Sequence, residues 1–549
     1  MDNPKLWQKR MEALRQAITE TNDFADHRAN ERLDSMKAKY GAFANNLPSL
    51  LSLPAEQRPA ELQDVTRREV YKAVQEMFQI GTCWNILESL QGFTTDAFDF
   101  FYGGYYGDET NPPYLTVSPD YPERYVMRML LNQVSYDLNI LQRAITQRQD
   151  ADGMMTQQGQ TLFIADRLAA QALKPALTAG LLEDGTGIIS YLGKTIRARL
   201  VPYYDTILLC IAFASMQQGS FPSRDFLAIP HEIGHHLYWN GTMPNSSETL
   251  RATLHKKLNA AGIKKRDWRR RWVEEIFADA YALIIGGPVV ALDFQDMLDD
   301  DVPAHFRSDT DKHPIPELRP FIQTQILRKI KSQGNPYYVE TPNRLDANWK
   351  AWIKQQWADR DVLAELFRVR GKRAKLTGQG VVDTLQPVLD VVLDVLGPVI
   401  PQDKNTAWSV DIIKEEDIEF YIANFEESEI ADLIDSLNLD NSLAYLYLQF
   451  YKNAYPQDDE ELMTILSVLI SENLPENMDM ETLAKLEQKY GERGNTFEER
   501  VEKIAGKAAN VLCTEDWVKL FLFEGWSDEG PLGSGGKTTS SSSDGLDSF

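Results

Sequence analysis

Three histidines and a glutamate fall within the stretch HEIGHH, His231 to His236, in a chain that has seven histidines in all. Imidazoles four residues apart lie one turn apart on the same face of a helix, so His231 and His235 can both reach one tetrahedral ion. Glu232 follows the first of them directly. A carboxylate there can take a proton from a water that the ion activates, and later return it to a leaving group. His236 sits about 100° round the helix from His235. It cannot share the ligand face, and it reads as a wall or supporting residue. Two histidines leave the coordination incomplete: a working site needs a third protein ligand and an open fourth position.

Three places offer that ligand. A direct continuation would need glycine at position 238 and histidine at 241, and those positions hold Tyr238 and Gly241. His255 and Glu248 are within reach, but neither has a supporting carboxylate at helical spacing. His255 also runs into Lys256 and Lys257, which reads as a solvated surface. The stronger candidate lies on WVEEIFADAYAL, where Glu275 and Asp279 are one turn apart on a well-patterned helix. Glu275 is the expected third ligand. Asp279 can accept the other N–H of a ligand imidazole, which fixes its tautomer and raises its basicity. Glu274 has Ala278 four residues on, not a carboxylate, and is expected to point away.

HEIGH followed by E-x-x-x-D on a second helix resembles the gluzincin metallopeptidases, the thermolysin-like clan. EEIFADAYA is similar to the E-x-x-A-[DN]-x-[FY]-A helix of the ImmA/IrrE-type peptidases and to the CaaX-type proteases. DKHPIPELRP, with His313, Pro314 and Arg319, resembles the H-P-x-x-x-x-R element downstream of the metal helices in the CaaX-type families. The resemblance spans about residues 185–325. It implies one zinc ion held by His231, His235 and Glu275, with Glu232 as general base. It also implies hydrolysis of peptide bonds in a protein or peptide substrate. For His313 and Arg319 two readings stand side by side. They are donors to a developing oxyanion, or they form a proline-rich turn whose arginine pairs with an acid.

The elements that must position these residues follow from periodicity. DFLAIPHEIGHHLYWNG reads as a helix closed by Gly241, with Pro230 marking either its start or a kink. KKRDWRRRWVEEIFADAYALIIGGP reads as a helix capped by Asp267 and stopped at Gly286–Gly287–Pro288. Its basic start, Lys264 to Arg271, reads as a solvated face. Before them, GTGIISYLGKTIRARLVPYYDTILLCIAFASM changes to short runs rich in Ile, Leu, Val and Tyr. That pattern suggests two to four strands, around Ile188–Tyr191 and Ile207–Phe213. Residues 1–120 read as an N-terminal helical region, except that FDFFYGGYYGDETNPPYL (Phe98–Leu115) reads as a loop on its Gly and Pro content. The core is expected over 121–345 and a C-terminal helical region over 346–525. In the latter, GQGVVDTLQPVLDVVLDVLGPVI reads as a buried helix with Asp383, Asp390 and Asp394 in a narrow polar seam. Residues 526–549 form a Gly/Ser-rich tail that cannot bury enough apolar surface to order itself. The expected fold class is α+β, predominantly α-helical: a zincin-like core, with a small mixed sheet and two metal-bearing helices, between helical flanks.

Composition bounds the alternatives. A net charge of −24 over 549 residues argues against a nucleic-acid partner, which demands a compensating basic field. No apolar run is long enough to span a bilayer. The three cysteines match no metal or disulfide spacing, and the N-terminus lacks the apolar segment of a signal peptide, so a cytoplasmic location is expected. Two further readings compete with an active zinc peptidase. One is a helical interaction protein with a vestigial zinc site, engaging a protein partner through its flanks. The other is a latent peptidase held shut by those flanks.

Overall fold

The structure, a computed structural model, describes residues 4–400 apart from short internal stretches, the longest of them 214–225. The expected tail at 526–549 and the helical pattern beyond residue 400 lie outside the described residues. The described chain is mostly helical with a small three-stranded mixed sheet and a short antiparallel pair, Leu366–Phe367 with Leu376–Thr377, in line with the α+β expectation.

Helices α1 (Pro4–Tyr40), α2 (Arg67–Tyr106) and α3 (Glu123–Thr146) form an N-terminal bundle. On α3, Val126, Leu130, Val134, Leu138 and Leu141 recur every three or four residues and turn one stripe into the bundle core. Of the stretch Phe98–Leu115 expected to be a loop, the first part is instead the end of α2, helical through Tyr106, while Gly107 and residues 112–115 lie outside any helix as expected. Phe98, Phe101 and Tyr105 recur at helical spacing and are buried in the bundle, and that burial overrides the poor helix propensity of Gly103 and Gly104. The helix stops at Gly107, which adopts a positive φ of 65°.

The sheet consists of β1 (Gly187–Gly193), β2 (Arg197–Leu200) and β3 (Thr206–Ala212), in the order β1-β3-β2. β1 runs parallel to β3 and β2 antiparallel to it. Its two faces feed two cores. Ile189, Tyr191, Leu208 and Cys210 pack against the N-terminal bundle. Ile188, Leu192, Ile207, Leu209 and Ile211 pack on the opposite side. Burial on both faces explains why these strands read as continuous apolar runs and not as alternation.

The second core is shared by α4 (Gln157–Thr178), α5 (Ile229–Asn240), α6 (Leu250–Ala260), α7 (Val273–Gly286) and α8 (Pro288–Asp299). It is completed by α9 (Arg319–Lys329), α10 (Tyr337–Trp357) and α11 (Gly378–Val395). α10 runs through residue 345, and α11 buries Val381, Leu385, Leu389 and Val392 in this same core. The three aspartates of α11 are exposed while most of its apolar residues are buried, so the expected narrow polar seam on a buried helix is present and faces outward. Asp394 accepts from Lys257 at 2.6 Å, and Asp390 pairs with Lys329. Bundle and second core are also tied through charge: buried Arg148 meets Asp166 of α4 at 3.0 Å, and both bond the backbone of Ser190 in β1. No helix among the described residues is long and apolar enough to cross a membrane.

Candidate metal centre

Pro230 resolves to a helix start: α5 begins at Ile229, where the missing N–H of proline is one the first turn leaves unbonded anyway. On α7, a 3-10 turn (Trp268–Trp272) capped by Asp267 leads into the α-helix, and Gly287, with a φ of 63°, ends it. The two helices cross at Gly234 and Ala278. A Cβ on Gly234 would lie 2.8 Å from the Ala278 Cα, so only glycine permits this approach. The crossing brings Glu275 opposite His231 and His235.

The three expected ligands converge. His231 Nε2 and His235 Nε2 are 3.1 Å apart, and the Glu275 carboxylate oxygens lie 3.6 Å from each of them. Ligands at 2.0–2.1 Å around a tetrahedral zinc stand about 3.3 Å from one another. The donor set itself fits a cation. His231 Nδ1 lies 3.0 Å from Asp279 Oδ1, and His235 Nδ1 lies 3.3 Å from Glu274 Oε1. A proton held at Nδ1 of a ring leaves its Nε2 lone pair free, and two such lone pairs facing each other at 3.1 Å would be reconciled by a cation between them.

Glu274 is therefore a correction. It does not point away but supports His235 as Asp279 supports His231, and the Trp239 indole N–H donates to it at 2.7 Å. Its adjacency to Glu275 in sequence hid this, because helix spacing alone gave it no partner on its own helix.

Arg319 enters at the start of α9 and lies beneath the site, buried. Its Nε and Nη2 donate to the two oxygens of Asp279 at 2.8 and 2.7 Å, and Nη2 also donates to Glu275 at 3.0 Å. Of the two readings for this arginine, its contacts are those of a cation paired with acidic neighbours. His313 lies at the rim, its Nε2 3.2 Å from Glu275 Oε1, with its side chain 48% exposed against 6% for the glutamate. His236 is buried beside the site, its Nδ1 near the Asn240 amide at 3.2 Å.

The alternatives lie elsewhere. His255 is half-buried where solvation was expected, set between Tyr238 and Arg270, and burial with the neighbouring arginines pushes its pKa down to about 4. The basic run likewise is not simply solvated. Arg269 donates to Asp267, Arg270 to the Ile263 carbonyl and Arg271 to Asp309. Glu248 lies near Lys256.

Glu232 sits beside the ligands, and one of its carboxylate oxygens accepts the backbone N–H of Ala198 in β2 at 2.6 Å. Desolvation raises its pKa above the ordinary carboxylate value, with His235, His231 and the Ala198 N–H offsetting only part. For Glu275 and Asp279 the balance reverses. Burial opposes ionisation, but the histidines and Arg319 outweigh it and hold both carboxyls below their ordinary range. His235 is also lowered by burial, yet Glu275, Glu274 and Glu232 carry its pKa up to about 9.

One side of the cluster is thus a buried floor of Asp279, Glu275 and Arg319, and the other carries the partly exposed His235 and His313. A site closed on one side and open on the other can keep a coordination position for a substrate or water. Among the described residues, His231, His235 and Glu275 form the group able to hold a metal ion. Comparison with protein-family profiles, with curated proteins and with solved structures finds no match to this chain.

Proposed function

We propose that this chain is a zinc-dependent peptidase. The observation that carries the reading is the convergence of His231, His235 and Glu275 at metal-ligand spacing, with the Glu232 carboxylate held beside them by the Ala198 N–H. A zinc ion held there supplies Lewis acidity, polarising a scissile carbonyl and acidifying the attacking water. The chain's own groups do the rest. Glu232, its pKa raised by burial, takes the water's proton and passes it to the leaving amine. Asp279 and Glu274 hold the two imidazoles in the tautomer that leaves Nε2 unprotonated. Arg319 neutralises the buried carboxylates, and His313 at the rim is placed to donate to charge developing on the substrate. Among the described residues β2 is an outer strand of the sheet next to Glu232, so an extended peptide or protein segment would pair with the outer-edge backbone groups that Glu232 does not take.

The test is Glu232→Gln in the full chain. The variant is expected to keep one zinc per chain by elemental analysis and to lose peptide cleavage by about two to four orders of magnitude. Cleavage at the wild-type rate overturns the reading.

A further inference from the structure

β2 is four residues long and, among the described residues, pairs with one neighbour, β3. Such a strand is marginal by its own ladder and opens easily unless its faces are held. Among the contacts of the described side chains, two reach opposite sides of the sheet. Arg197 pairs across the sheet with Cys210, which pairs in turn with Tyr191, so the three form a row across β2, β3 and β1. Tyr191 and Cys210 belong to the bundle side of the sheet, and Arg197 Nη2 reaches into that side to donate to the Tyr136 hydroxyl of α3 at 2.7 Å. The next residue, Ala198, pairs with Leu209 and packs on the opposite core, as strand alternation requires. Its N–H goes to Glu232 instead of to β3, which sets that N–H on the outer edge of the sheet.

We propose that Tyr136 and Arg197 are positioning residues for Glu232. The N-terminal bundle, through this bond, fixes the height and register of β2 and so keeps the Ala198 N–H on the carboxylate. The inference rests on the peptidase reading for its consequence in turnover, while the link itself is a property of the chain without metal or substrate. It makes the bundle part of the catalytic unit: anything that shifts α3 against the sheet also shifts the anchor of the general base.

Hydrogen exchange read by mass spectrometry on peptides spanning 197–200 tests the link in metal-free and zinc-loaded full-length protein. Tyr136→Phe removes one oxygen, and Arg197→Met removes the guanidinium while keeping an unbranched apolar stem. Both are expected to speed exchange in β2 while β1 exchanges as in wild type. They are also expected to lower kcat roughly ten- to a hundredfold, the scale at which small misplacements act, with KM and melting temperature little changed. Arg197→Lys, which can still donate to Tyr136, should recover most of both effects. Unchanged exchange in β2, or faster exchange with unchanged kcat, overturns the proposal. If Glu232→Gln itself leaves cleavage intact, the peptidase reading falls and takes the consequence for turnover with it. If Glu232→Gln is inactive but Tyr136→Phe behaves as wild type, this inference alone falls.

Discussion

Glu274 and Glu275 are consecutive residues of the same type with different tasks: Glu275 faces both Nε2 atoms, and Glu274 takes the far nitrogen of one ring. Removing the charge at position 274 leaves the coordinating atoms intact but weakens the basicity of His235. Glu274→Gln is therefore expected to reduce zinc affinity by about ten- to a hundredfold, measured by competition with a chromophoric chelator. The pH dependence carries the same signature. In the metal-free protein His235 holds its proton up to about pH 9, so zinc must displace it. Apparent affinity should rise with pH and level off near 9, and in Glu274→Gln the break should move down towards the ordinary imidazole value. The corresponding stability term has the opposite sense. A raised folded-state value means the contribution is complete below the unfolded histidine pKa and is lost as pH rises through about 9.

At the scale of elements, the site depends on how closely two helices approach. Gly234 is the third residue between the ligands' ends, and its missing Cβ is what lets α5 rest on the backbone of Ala278. Gly234→Ala forces one helix back by several tenths of an ångström, and overpacking of this kind costs about 1–3 kcal/mol. Denaturant titration should show that loss. Zinc binding should weaken with it, because Glu275 moves away from both imidazoles together. Local patterning made both helices legible: the cap at Asp267 and the stop at Gly287 are one-residue signals, whereas Pro230 left a start and a kink open until the structure showed a start. The aromatic end of α2 was not legible in the same way. Its Gly103–Gly104 pair carries a turn signal, and only the packing of Phe98, Phe101 and Tyr105 in the bundle decides for helix. The aspartates of α11 were legible as one polar seam, because their spacing puts them on roughly one face, and packing turns that face outward.

At the scale of the molecule, the sheet partitions two cores, and polar struts join them through it. One is Arg148 with Asp166, both buried and both bonded to Ser190. Arg148→Met leaves the Asp166 carboxylate buried without its cation, and loss of one partner from such a pair costs about 3–5 kcal/mol. Thermal unfolding should drop accordingly, and Asp166→Asn, which can still accept from Ser190, should be the milder change. What the sequence determined by itself is whatever acts within a helical turn. It set the pairing of His231 with His235, of Glu275 with Asp279, the placement of Glu232, and the boundaries of the helices that carry them. Periodicity and capping are local, so a single chain reveals them. The tertiary structure alone decided which carboxylate supports His235, what Arg319 touches, and that an edge strand tied to the N-terminal bundle holds Glu232. Each of these is a contact between segments distant in sequence. Its geometry is set by how closely helices cross and on which face a strand lies, and no spacing along the chain encodes that.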